Sequence, residues 1–135
     1  MATTTNTLSS ISVNAERALF GQPDFTVIHT ATATALAAQF VPTGQDIARM
    51  FSLCLSYSAA PAVSTLTVKD GTTVIWQTEI SASAPFANFF DFSKKPIRGS
   101  AGASLTAVVG SAGGAVVQTI SWVGDVIHNS QGTPT

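Results

Sequence analysis

Large apolar residues recur at every second position along much of this chain, and the spacing predicts strands. The clearest case is Phe51, Leu53, Leu55 and Tyr57, which alternate with Ser52, Cys54, Ser56 and Ser58. Period-two alternation places the large side chains on one face and the small polar ones on the other. Residues 66–69 and 73–80 are β-type runs flanking Asp70-Gly71, a dipeptide that tolerates the positive φ of a tight turn, so a hairpin is predicted there. Residues 25–30 are rich in β-formers, and the Ala/Thr stretch up to Phe40 is read as a weak continuation of that strand. Residues 41–46 read as a turn. Residues 103–109 predict a strand, residues 110–114 a glycine hairpin loop, and residues 116–127 the last strand. In that strand Val116, Gln118, Ile120 and Trp122 share a face opposite Val117, Thr119, Ser121 and Val123.

Helical periodicity is confined to residues 15–20, a single turn at most, stopped by Gly21 and Pro23. About eight strands at roughly ten-residue spacing, with no crossover helix, predict an all-β antiparallel sandwich, jelly-roll-like. An immunoglobulin-like order of the strands fits the same pattern. Residues 1–20 are read as an extended N-terminal arm, residues 21–128 as the sandwich domain and residues 129–135 as a polar tail.

Phe86, Phe89, Phe90 and Phe92 fall within seven positions. They cannot share one side of a strand, so the segment is buried on both sides, irregular, or part of a subunit contact. Aromatic side chains concentrate at interface centres, where they cover a large apolar area at low entropic cost.

Composition sharpens this picture. Of 135 residues only 10% are charged, the net charge is −1, and the hydrophobic share is 45%. Soluble domains carry roughly 25% charge. Ser, Thr, Ala and Gly have replaced Lys and Glu, as expected of a chain that covers part of its surface by assembly; a Ser/Thr-coated secreted domain would show the same balance. The only basic cluster, Lys94-Lys95 with Arg98, is too small for a nucleic-acid footprint, and no nucleic-acid partner is expected. No run approaches the roughly 18 apolar residues of a membrane span. The first residues lack the basic start and apolar stretch of a secretion signal. Cys54 is the sole cysteine, which excludes an intrachain disulfide and a multi-cysteine metal site.

Candidate chemistry is sparse. A Ser-His-Asp set can be drawn from His29, Asp46 and one of many serines, but no Gly-x-Ser-x-Gly turn supports it. No His pair at helical spacing or acidic calcium loop is present. The loop at 110–114 lacks the Lys and following helix of a phosphate loop. The sequence therefore predicts no enzyme, metal or cofactor. Trp76, Trp122 and Tyr57 could line a carbohydrate-binding face, although each falls in phase with apolar neighbours.

Residues 96–109, with their Pro-Ile-Arg-Gly loop, small-residue step and Leu105-Thr106-Ala107-Val108-Val109 strand, resemble a pattern met in tailed-phage virion proteins. So do the following glycine hairpin and apolar strand, the hairpin of residues 66–76, and a Phe-rich stretch such as 86–92. The resemblance covers roughly residues 45–125. It implies a jelly-roll cement or decoration protein on the outer surface of a bacteriophage capsid, assembled in the host cytoplasm. Its partners would be the major capsid protein and its own copies, as a trimer rather than a dimer. The alternative is a head-fibre or receptor-binding module for host carbohydrate. Candidate interface residues are Leu19, Phe20, Phe86, Phe89, Phe90 and Arg98.

Overall fold

The computed structural model describes residues 25–82 and 86–128. The turn at 15–20, the arm with Leu19 and Phe20, and the tail at 129–135 lie outside the described residues. The described residues form nine strands: β1 (Phe25–Thr32), β2 (Leu36–Phe40), β3 (Ile47–Tyr57), β4 (Ser64–Asp70), β5 (Thr73–Ile80), β6 (Ala87–Asp91), β7 (Ile97–Arg98), β8 (Leu105–Val109) and β9 (Val117–Ile127). The strands not expected separately are β2 and β7, the latter a two-residue pairing within what reads as a loop.

All pairings are antiparallel and form two sheets. Sheet A has the order β1-β9-β3-β6, with β7 also on β3, and sheet B the order β2-β8-β4-β5. The pairs nest: β1 with β9, β2 with β8, β3 with β6, and β4 with β5 at the tip. A long ribbon nested in this way and folded over itself, so that β9 meets β3 and β8 meets β4, is the jelly roll. This order settles the choice between jelly roll and immunoglobulin-like sandwich.

The ribbon tip is the expected hairpin. Asp70 pairs with Thr73 across Gly71 and Thr72. Gly71 has φ +64° and Thr72 does not turn positive, as in a type II′ turn with glycine at its first central position. Asp70 also holds the next loop: its carboxylate accepts from Ser100 N at 2.9 Å and Ser100 Oγ at 2.6 Å.

The Ala/Thr stretch does not continue one strand. β1 ends at Thr32, Ala33 turns with φ +58°, and β2 crosses to the other sheet. Alanine, with its small Cβ, holds this left-handed position at a cost of about 1–2 kcal/mol. The Ala33 amide donates to Val116 O at 3.2 Å, which anchors the crossing.

Between the sheets lies one apolar layer. Met50, Leu53 and Leu55 of β3 and Ile120 and Trp122 of β9 meet Leu66 and Val68 of β4 and Leu105, Ala107 and Val109 of β8, all fully buried. Trp122 bridges the layers, donating from Nε1 to Ala38 O at 3.1 Å while Phe25 packs edge-on at 5.4 Å. Gln118 is the polar member of the layer; its Nε2 donates to Thr34 O at 2.9 Å and Gly110 O at 3.0 Å, joining two loops. Truncating Trp122 to alanine is expected to cost about 3–5 kcal/mol. Urea unfolding checks this through a lowered midpoint at unchanged m-value.

Phe51 departs from the expected phase. A bulge between Met50 and Ser52 inserts it as an extra residue, so Met50 and Leu53 both face inward while Phe51, still only 6% exposed, leaves the alternation. The Arg49 guanidinium sits over its ring at 5.1 Å, and Phe51 lies outside the core layer.

Candidate functional site

The β3 alternation buries Leu53 and Leu55 and turns Ser52, Cys54 and Ser56 outward, and the pairings line these up with their neighbours. Ile28 of β1 pairs with Ser121 of β9, Ser121 with Cys54 of β3, and Cys54 with Phe89 of β6. One row on either side reads Thr26–Val123–Ser52–Asp91, and the other Thr30–Thr119–Ser56–Ala87. Twelve outward positions thus form a grid four strands wide with a single charged residue, Asp91, at a corner. At about 4.8 Å between strands and about 6.7 Å per two residues, the grid covers roughly 400 Å².

Two large apolar side chains mark opposite edges of this face: Ile28, 62% exposed, and Phe89, 66% exposed. Between them lie Ser, Thr, Val and Cys, which leave the surface low and even. Asp91 is held by the loop that follows. Its Oδ1 accepts from the Ser93 amide at 2.9 Å, and this hydrogen bond holds the carboxyl below the usual carboxylate range.

The end of the face nearest Phe25 is closed by an ion pair. Arg49 donates to Asp125 from Nε at 2.8 Å and from Nη2 at 2.6 Å, a two-point contact with Asp125 almost wholly buried. That hydrogen bond raises the Arg49 pKa above its ordinary value, so the guanidinium stays charged. The outer face of sheet B differs. It carries Lys69, Glu79, Gln77 and Gln39 on strands whose inward positions fill the core.

On β6, strand phase separates Phe89 from Phe90, while Phe86 lies ahead of the strand and Phe92 just after it. Phe86 and Phe89 are exposed, at 56% and 66%. Phe90 and Phe92 turn inward, each edge-on to Trp76 at 5.2 Å. Arg98 is exposed on β7. Leu19 and Phe20 lie outside the described residues.

No solved arrangement joins His29 to Asp46. His29 pairs with Ile120, whereas Asp46 precedes Ile47, which pairs with Ile127 seven residues further along β9. Seven residues of strand span about 23 Å. The neighbour of Asp46 is instead His128, with Nδ1 3.1 Å from Oδ2. Nor does a three-aromatic carbohydrate face form, because Trp122 and Tyr57 point into the core. Among the described residues no group of three His, Cys, Asp or Glu side chains is placed to hold a metal ion.

No protein-family model matches the chain, and no curated protein does. Among solved structures it is similar to a chain of tomato aspermy virus, with 10% identity, TM-score 0.38, and coverage of 94% of this chain and 100% of that one. It is also similar to the infectious bursal disease virus VP2 subviral particle, at 14% identity and TM-score 0.28. That match covers 81% of this chain and 34% of the other, so the chain spans about a third of its length. The Gx strain of the same virus matches at 14% identity and TM-score 0.24, over 79% of this chain and 33% of that one.

Proposed function

We propose that this chain is a virion structural protein whose copies meet through the outer face of sheet A. The observation that carries the reading is the grid of twelve outward residues with one charge among them. A sheet face with one charge and with apolar side chains at its margins loses little hydration when covered, because few charges must be desolvated. The overall charge deficit points the same way.

The finer assignment is a capsid cement or decoration protein. It would bind the outside of a shell of major capsid protein as a homo-oligomer, with a trimer favoured. The support is the resemblance of residues 45–125 to tailed-phage virion proteins, together with a jelly-roll strand order. The role is mechanical: a protein that binds the mature shell in preference to its open form stabilises the shell by mass action.

Area argues for a second contribution. A stable interface covers about 800 Å² per partner, roughly twice the grid. Residues 1–20 are the proposed source of the remainder, through Leu19 and Phe20. Electron cryomicroscopy of virions carrying the chain is expected to show it as separate density outside the shell. Removing residues 1–20 should lower its occupancy at least several-fold. Unchanged occupancy would remove the arm from the contact, and density forming the shell wall itself would contradict the cement assignment.

A further inference from the structure

We infer that the cleft between the free edges of the two sheets is a docking site for an acidic peptide segment of a partner protein, anchored by an aromatic side chain. β5 is the last strand of sheet B, and β6 and β7 the last of sheet A. Where these edges meet they enclose a cleft of about 410 Å³, with Ile75, Trp76, Phe92 and Ile97 as apolar walls and Lys95 and Arg98 at the margin. The volume is that of a site able to take one large side chain and its neighbours.

The construction of the cleft is specific. Ile75 and Trp76 are adjacent, and on a regular strand they would face opposite sides. The register of β5 on β4 shifts between Val68 and Lys69, where Val68 meets Trp76 and Lys69 meets Val74. Ile75 is therefore the extra residue of a bulge, and bulges re-aim side chains. Both residues line the cleft as a result. Phe90 and Phe92, each edge-on to Trp76 at 5.2 Å, hold the indole in place from the other sheet. A fixed aromatic wall loses little entropy when a ring packs against it.

Charge selects the occupant. No carboxylate lines the cleft, and neither the Lys95 nor the Arg98 side chain has a hydrogen bond or ion pair among the described residues. Lys94 of the same loop does not line the cleft, and its charge acts on Asp91. An anchor flanked by carboxylates would meet unpaired ammonium and guanidinium groups. The open edge of β5 further offers main-chain groups to an extended segment. The inference is independent of how sheet A is covered, since the cleft lies at the sheet margins and a titration reads it whatever the oligomeric state.

The test is an NMR titration of the full chain with a capped Glu-Glu-Phe-Glu-Glu peptide. The indole N–H resonance of Trp76 should shift saturably while that of the buried Trp122 stays in place. Replacing the peptide's Phe with Ala, or reversing the charge of the protein with K95E/R98E, should each weaken binding at least about tenfold, the equivalent of about 1.4 kcal/mol. The reversed protein should prefer Lys-Lys-Phe-Lys-Lys. An unmoved Trp76 resonance, equal binding of the Ala peptide, or full binding to K95E/R98E would each overturn the proposal. So would a shift of the same resonance on deletion of residues 1–20 alone, which would make the chain's own segment the occupant.

Discussion

Replacing Gly124 with alanine is expected to destabilise the fold by at least about 3 kcal/mol, at or above the usual range for an overpacked core. The reason lies in the β3 bulge. Phe51 is inserted between Met50 and Ser52, and Gly124 pairs with Met50 where the two strands are drawn together. A Cβ on Gly124 would run into the carbonyl oxygen of Arg49 and stand 2.9 Å from Cζ3 of Trp122. Neither obstacle is the loose end of a flexible chain. The carbonyl belongs to a central strand, and Trp122 is held by Phe25 and by its bond to Ala38. Separating β3 from β9 to make room would also stretch the Arg49–Asp125 pair, which spans the same two strands. Urea unfolding followed by tryptophan fluorescence checks the prediction; a loss under about 1 kcal/mol would mean the bulge can relax.

Much of the sandwich was legible because its signals are local. Alternation predicted β3 from Leu53 to Tyr57 and the two faces of β9, including the inward position of Gln118. The Asp70-Gly71 turn predicted the β4–β5 hairpin. The crowding of four phenylalanines required two faces, and Phe89 and Phe90 do point to opposite ones. What stayed hidden depends on long-range pairing. Phe51 counts in phase with Leu53, and only the register of β3 on β9 shows it to be an extra residue. The break at Ala33 falls among alanines and threonines, whose small side chains give too little contrast to mark a change of sheet.

The two candidate surfaces differ in the same respect. The outward Ser52, Cys54 and Ser56, and the outward Thr119, Ser121 and Val123, are readable along their strands. That they lie side by side between Ile28 and Phe89 follows only from the pairing of β9 with both β1 and β3. The cleft was less accessible still. Its Trp76 and Arg98 stand 22 positions apart in the chain, and a bulge turns Ile75 beside Trp76 instead of away from it.

Placing arginine at Ser121 or Cys54 is expected to abolish self-association through sheet A. Both positions sit in the middle row of the grid and on its two central strands. A guanidinium there would be forced under the partner without a carboxylate to meet it, and an unpaired charge buried in this way costs about 3–5 kcal/mol. In the separated chain the same side chain extends into water, so the fold itself is little affected. Thr67 pairs with Gln77 and Val108 on the outer face of sheet B, and provides the control.

The most direct test is the solution mass of wild type, S121R, C54R and T67R by light scattering at one concentration. The proposed function predicts an oligomer for wild type and T67R. It predicts monomers for S121R and C54R, with melting temperatures close to wild type. A wild-type monomer, or an oligomer that survives arginine at both Ser121 and Cys54, would contradict assembly through this face.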